Sequence, residues 1–239
     1  MGWTVEATGR DGTLSFDEDA AIHEALRRST HVLSSVPPCG KADPVLERYG
    51  TSLGRPWLGY LSSTGVYGDT GGAWVDESAP TGGGRRTARA VCDSRWLARG
   101  ARVFRLPGIY GPGRSVIERL RSGTAHRIDL PGQVFSRIHV DDLAAGVIAG
   151  LGAPSGAYNL ADDLPTNQNA VVEEACRLLG IAPPPLRALD QAGLSPQARA
   201  FYAENRRVAT GKARRVLGWE PRFRDYRSGL RDCLKRSSP

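Results

Sequence analysis

Two segments constrain the fold of this chain more than any others. Residues 60–67 read Tyr-Leu-Ser-Ser-Thr-Gly-Val-Tyr, and residues 105–114 read Arg-Leu-Pro-Gly-Ile-Tyr-Gly-Pro-Gly-Arg. Each carries a short apolar strand into small polar residues and then Tyr-Gly. A helix-length interval, residues 85–98, lies between them. Strand ends separated in this way belong to neighbouring parallel strands, because a parallel crossover needs about a dozen residues. Their carboxyl ends face one crevice, the place where open α/β sheets bind ligands.

The remainder agrees with an α/β fold. Strands are expected over 3–8, 31–36, 57–62, 101–106 and 156–160, with 13–16 returning on the first as a short hairpin across Asp11-Gly12. Helices are expected over 17–28, 44–53, 85–98, 116–121, 143–151 and 167–179, and again over 196–205 and 210–217. Residues 71–84, rich in Gly and Pro, read as loop. Among 239 residues no apolar run approaches the roughly 20 needed to span a bilayer, and the first residues lack a basic, then apolar, leader. The expectation is a cytoplasmic protein without membrane contact. Cys39, Cys92, Cys176 and Cys233 are widely spaced, which suits free thiols rather than a disulfide frame, and the histidines have no metal-ligand spacing.

The net charge is +7, and Arg outnumbers Lys 29 to 3. Residues 196–239 hold twelve Lys/Arg against four Asp/Glu. Two readings stay open: a lobe that receives an anionic small molecule, or a solvated face in an Arg-rich chain. No aromatic-interleaved basic stripe supports nucleic acid as a partner.

Five segments in order resemble the extended short-chain dehydrogenase/reductases, in an atypical branch similar to NAD-dependent epimerases and dehydratases. They are Ser62-Ser-Thr-Gly-Val-Tyr-Gly68, Arg105 to Gly113, Arg137-Ile-His-Val-Asp-Asp142, Tyr158-Asn-Leu-Ala-Asp162, and Ala213 to Pro221 with its Leu-Gly-Trp-Glu-Pro. The resemblance covers about residues 57 to 234. It implies a Rossmann-like parallel sheet, incomplete at the N-terminus, and a small, mostly helical C-terminal lobe. Residues 1–112 and 135–162 would form the core, and 113–134 and 163–239 the substrate lobe. It implies Ser63 as the residue that orients the substrate carbonyl or hydroxyl. It also implies NADP or NAD as cofactor, held by Arg10, Ser34, Pro37, Ser62, Pro107 and Ile109.

Three departures qualify that implication. Family members begin with a strand and a Gly-x-x-Gly-x-x-Gly turn whose helix N-terminus binds the pyrophosphate; this sequence has none and resembles the family from its second strand, at residues 2–10. The absent strand belongs mid-sheet, where each buried orphan group costs about 1–3 kcal/mol, so either the gene starts further upstream or the sheet has rearranged. Only residues 9–12 separate Thr8 from Thr13, too few for a crossover helix, which points to degeneration of the cofactor half. Finally, the family's Tyr-x-x-x-Lys, with an acid four residues on, falls on Arg85, Arg89 and Asp93. A guanidinium stays protonated and cannot exchange the proton that the Tyr exchanges. Arg85 and Arg89 would supply fixed charge instead. Tyr67 would substitute if its hydroxyl entered the crevice, or else pack in the fold.

Smaller signals complete the candidate set. Arg10 stands where an acid would hold the ribose of NAD; an Arg suits the 2′-phosphate of NADP or is an exposed turn residue. His139 is a candidate base beside Asp141, or a satisfied histidine at a strand end. Arg114, Arg137 and Arg206 are candidate anion contacts on the substrate side. The functional expectation is an NAD(P)-dependent epimerase/dehydratase-like or oxidoreductase-like protein acting on a polar, phosphate- or nucleotide-bearing molecule. Its competitor is a catalytically silent protein that kept the fold as a binding scaffold. An unpaired sheet edge would rationalise a homo-oligomer.

Overall fold

The computed structural model describes residues 2–9, 11–54, 56–84 and 87–237. In chain order the elements are α1 (Asp19–Arg28), β1 (His31–Ser34), α2 (Pro44–Tyr49), β2 (Trp57–Ser63), β3 (Trp74–Val75), α3 (Thr87–Ala98), β4 (Arg102–Leu106), β5 (Gly108–Tyr110), α4 (Val116–Arg121), β6 (Arg127–Ile128), β7 (Arg137–His139), α5 (Val140–Ala149), β8 (Gly156–Asn159), α6 (Gln168–Leu179), β9 (Leu186–Arg187), α7 (Pro196–Phe201), β10 (Arg207–Val208) and α8 (Tyr226–Arg236). The main sheet is parallel throughout, in the order β1-β2-β4-β8. Short parallel pairs β5·β7, β3·β10 and β6·β9 extend the architecture around it.

Alternation along β2 and β4 divides the apolar side chains between two layers. Leu58, Tyr60 and Val103 face α2 and α3, where they meet Leu46, Cys92 and Trp96. Tyr60 stacks on Trp96 with ring centroids 5.4 Å apart. Phe104 and Leu106 face the other way, toward Ile138, Leu143, Tyr158 and Trp219. Full burial of each aliphatic or Phe side chain contributes about 1.5–3 kcal/mol, so these two layers hold the sheet flat between helices. A third cluster joins α4, α6 and α8 around Tyr110, Ile117, Val172 and Leu230.

Local signals explain the helix starts. Asp43 accepts from the Leu46 amide ahead of Pro44 and so begins α2. Ser115 and Glu118 form a reciprocal capping box on α4. Asn167 caps α6, and Gly180, at φ 67°, ends it. The carboxylate of Asp142 accepts from the amides of Arg222 and Phe223, and its carbonyl accepts from the Trp219 indole. That is how the Leu-Gly-Trp-Glu-Pro segment is pinned against α5.

The first residues depart from expectation. Residues 3–8 form no strand: Thr8 makes one isolated parallel bridge to Leu14, and Trp3 and Val5 are 56% and 73% exposed. A lone two-stranded ribbon without a packing face is marginal in water, and no third strand accompanies it. β1 is the sheet edge, and no strand among the described residues occupies the place beside it. Residues 213–217 form a π-helical turn. The short strands β3, β5, β6, β9 and β10 carry too little periodicity to be foreseen; α8, whose Tyr226, Leu230 and Cys233 recur at helical spacing, is legible in the sequence but is not among the expected helices.

Candidate active-site cleft

The register sets Ser63 opposite Leu106, so the two Tyr-Gly motifs leave the sheet side by side. Between them and the C-terminal helices opens a cleft of about 1160 Å³. Ser63, Arg89, Pro107 and Ile109 line its sheet side, together with Pro37 and Ser62; Arg114, Arg119, His126, Arg137, Tyr202 and Arg206 line the other. Arg10 and Arg85 lie outside the described residues.

On the sheet side, Ser63 ends β2 and caps the single turn Thr64–Tyr67, its hydroxyl accepting from the Gly65 amide at 3.1 Å. The hydroxyl proton stays free to donate into the cleft. Arg89, on α3, donates to the Tyr60 hydroxyl at 2.7 Å, so the position that the resemblance gives to a lysine is tied to the sheet. Ser62 points away from solvent and donates to Asp93 at 2.7 Å. Asp93 is fully buried and pairs with Arg105 through both carboxylate oxygens, at 2.8 and 3.1 Å. Arg105 donates onward to the Tyr67 hydroxyl at 3.0 Å, which donates to Asn159 at 2.8 Å. Of the two placements open to Tyr67, the structure takes the packed one: it does not line the cleft, and burial raises its pKa further from a proton-transfer range. Ser34 is also buried behind the lining, its hydroxyl without a partner, while the neighbouring Ser35 reaches the cleft.

His139 likewise takes the buried placement. It is 0% exposed, its Nδ1 accepts from the Asp141 amide at the start of α5, and its ring packs on Tyr110 and Phe223. Burial lowers its pKa. It lies with Asp141 and Asp232 in a cluster whose ligand atoms fall within 4.8 Å of one another. Arg236 donates to both carboxylates, at 2.6 and 3.2 Å, and supplies the positive charge there.

The lobe side is rich in guanidinium groups. Arg206 is committed to Glu204 and to the Gly68 carbonyl. Arg137 leaves the strand β7 and is 7% exposed; it donates to the carbonyls of Phe135 and Thr166 and to the Gln168 side chain. Burial lowers its pKa to about 10. No carboxylate among the described residues approaches it within ion-pair distance. Burial pushes the nearby Asp162 carboxyl up to about 8, although the charge of Arg137 acts to lower it. Arg114 and Arg119 make no ion pair among the described residues, and desolvation lowers the pKa of Arg119. His126 shares a 3.2 Å hydrogen bond with Tyr202, whose ring meets Phe135 edge-on. Sequence reasoning missed Arg119, His126, Gln168 and Tyr202: none sits in a motif, and only the fold brings them together. Chemically the cleft pairs a hydroxyl donor at a strand end with a wall of positive charge.

Pro37, Ser62, Pro107 and Ile109 line the cleft together with Ser63, a surface compatible in chemistry with the ring end of a nicotinamide dinucleotide. The other end finds no glycine turn in the sequence to cradle a pyrophosphate. No helix of the described residues is long and apolar enough to cross a membrane.

No family model matches the chain. It is 32% identical over 171 residues, 64% of its length, to a 3-diazoavenalumate denitrifying reductase from Streptomyces sp, 54% of which is covered. The chain spans about half the length of the curated relatives it matches. The structure is similar to dTDP-glucose 4,6-dehydratase of Bacillus anthracis in complex with NAD, at TM-score 0.71 and 17% identity over 92% of this chain and 76% of that one. It is also similar to a conserved protein of unknown function from Silicibacter pomeroyi DSS, at TM-score 0.82 and 38% identity, covering 98% of this chain and 82% of that one. The chain belongs to the family of this Silicibacter pomeroyi protein, and its fold is that of the NAD-dependent epimerase/dehydratase-like, extended short-chain dehydrogenase/reductases.

Proposed function

We propose that the protein is an NAD(P)-dependent oxidoreductase or epimerase/dehydratase-like enzyme of the extended short-chain type, acting on an anionic small molecule. One observation carries this reading: a hydroxyl-bearing residue, Ser63, stands at the end of β2 and lines one cleft with Pro107 and Ile109 and with Arg114, Arg119 and Arg137, which make no ion pair among the described residues. When bound, the nicotinamide supplies hydride transfer. Pro37, Ser62, Pro107 and Ile109 would hold its ring end, and Ser63 would hold the substrate oxygen. Arg89 would contribute a fixed charge rather than a proton. Residues 113–134 and 163–239 would serve as the substrate lobe, as the lining on α4, α6 and α7 supports. A reductase name among the curated relatives and the NAD complex among the fold neighbours support the cofactor.

A second reading has its own support. The absence of a Tyr at the family's proton-transfer position, where Arg85 stands, supports a silent scaffold. Thermal melting with and without NADPH or NADH separates the two. A ligand at 100 times its dissociation constant stabilises by about 2.7 kcal/mol, which moves the midpoint by several degrees. A shift with either nucleotide supports the enzyme; no shift with both removes the redox reading.

A further inference from the structure

We infer that the floor of the cleft is a carboxylate site in which Arg137 and Gln168 receive one carboxylate group of a substrate with an apolar or aromatic body. This deepens the proposed function by naming the charged group of the substrate, but the site stands on geometry that owes nothing to a nucleotide.

A guanidinium has five N–H donors. Arg137 gives its Nη1 to the carbonyls of Phe135 and Thr166 and one Nη2 proton to the Gln168 side-chain oxygen, at 2.8, 2.9 and 3.1 Å. Its Nε–H and the second Nη2–H have no partner among the described residues. Two free donors on one planar group match the two oxygens of a carboxylate. The Gln168 amide nitrogen is also unengaged and stands beside them in the lining. Gln168 is the first residue of α6, a 12-residue helix, so the positive end of its dipole adds to the same potential. An isolated buried charge is costly to maintain. Asp162 acts on Arg137 electrostatically, but no ion pair joins the two among the described residues, and two guanidinium donors stay open to an anion from outside.

The surroundings choose among anions. Val171, Leu230 and the rings of Phe135 and Tyr226 line the cleft beside Arg137. A carboxylate brings one negative charge to one guanidinium and leaves its body against those apolar groups. A phosphate monoester brings nearly two charges and a third oxygen, and these would face the apolar wall. Arg119 lies within electrostatic reach of Arg137, as the lowered pKa of the latter records after the larger effect of burial. It strengthens anion binding from further out, beside His126 and Tyr202.

The test uses the cofactor-free protein and benzoate, benzamide and phenyl phosphate as probes, read by thermal shift and by titration of tryptophan fluorescence. Benzoate is expected to bind in the millimolar range. Uncharged benzamide should bind at least tenfold more weakly, and so should phenyl phosphate. Arg137→Gln should weaken benzoate at least tenfold, and Gln168→Ala several-fold, each with an unchanged far-ultraviolet spectrum. If Arg137→Gln does not fold, Gln168→Ala decides, since its side chain is only half-buried. Failure of benzoate to bind, phenyl phosphate binding more tightly than benzoate, or benzoate affinity unchanged in the folded variants would each overturn the inference. Because no nucleotide is present, these outcomes are independent of the NADPH melting: benzoate binding without an NADPH shift keeps the carboxylate site and removes the redox reading, and the reverse removes the site alone.

Discussion

Two arginines, nearly equally buried, are treated in opposite ways, and only one of them lines the cleft. Arg105, 4% exposed, meets Asp93 through two nitrogens and Tyr67 through a third. Arg137, 7% exposed, meets two carbonyls and an amide, and no carboxylate at ion-pair distance. Desolvation opposes both charges, but only Arg105 meets its counter-charge at ion-pair distance, whereas Asp162 acts on Arg137 from further off. Arg105 therefore belongs to the frame that fixes the ends of β2, β4 and β8. Arg137 keeps two N–H groups without a partner among the described residues. The comparison gives a working rule for Arg-rich proteins: burial does not tell a structural arginine from a binding one, whereas the identity of its acceptors does.

The sharpest way to break this contrast is Asp93→Ala. It strands Arg105 in a buried pocket and should cost about 3–5 kcal/mol, measured by urea unfolding; a loss under about 1 kcal/mol would mean that the frame is not held by this pair. Next in size is the pH dependence set by Asp162. Its folded pKa of about 8 lies above the ordinary value near 3.9. Between those values the folded state keeps a proton that the unfolded state releases. Stability from this group is therefore complete below about pH 4 and falls as pH rises toward 8, by up to about 1.4 kcal/mol per unit. Asp162→Asn should flatten thermal midpoints across that window, and an unchanged slope would place the titration elsewhere. Tyr67→Phe removes one hydroxyl from between Arg105 and Asn159 and should cost about 1 kcal/mol; because Tyr67 does not line the cleft, benzoate affinity should not change. Arg27→Ala sets the baseline. Its ion pair with Glu24 is exposed on both sides, and its loss should stay below about 0.5 kcal/mol in the same unfolding assay.

The sequence made the sheet legible wherever a strand carried its own apolar alternation and a helix carried its own cap. Residues 57–62 and 101–106 read as strands and form β2 and β4; 116–121 and 167–179 read as helices and form α4 and α6, with Ser115 and Asn167 as their caps. Residues 3–8 have the composition of a strand but do not pair with the open edge of β1, and strand formation depends on the partner. The strands β3 and β10 are two residues each and exist only because the chain brings residues 74–75 and 207–208 together. The site divided along the same line. Ser63, Pro107 and Ile109 sit in motifs at strand ends, and they line the cleft. Gln168, His126 and Tyr202 come from separate helices and turns, and nothing local distinguishes them. Tyr67 and His139 looked reactive by type, but their environments are interior.

Position 229 holds one more lesson. A β-carbon there would fall 2.0 Å from the hydroxyl of Tyr110, so either the phenol or the helix would have to give way. The last helix thus approaches β5 as closely as it does because a methyl group is missing. Alanine at this point would press on a ring that itself lines the chamber, so the shape of the binding space is sensitive to a residue outside its lining.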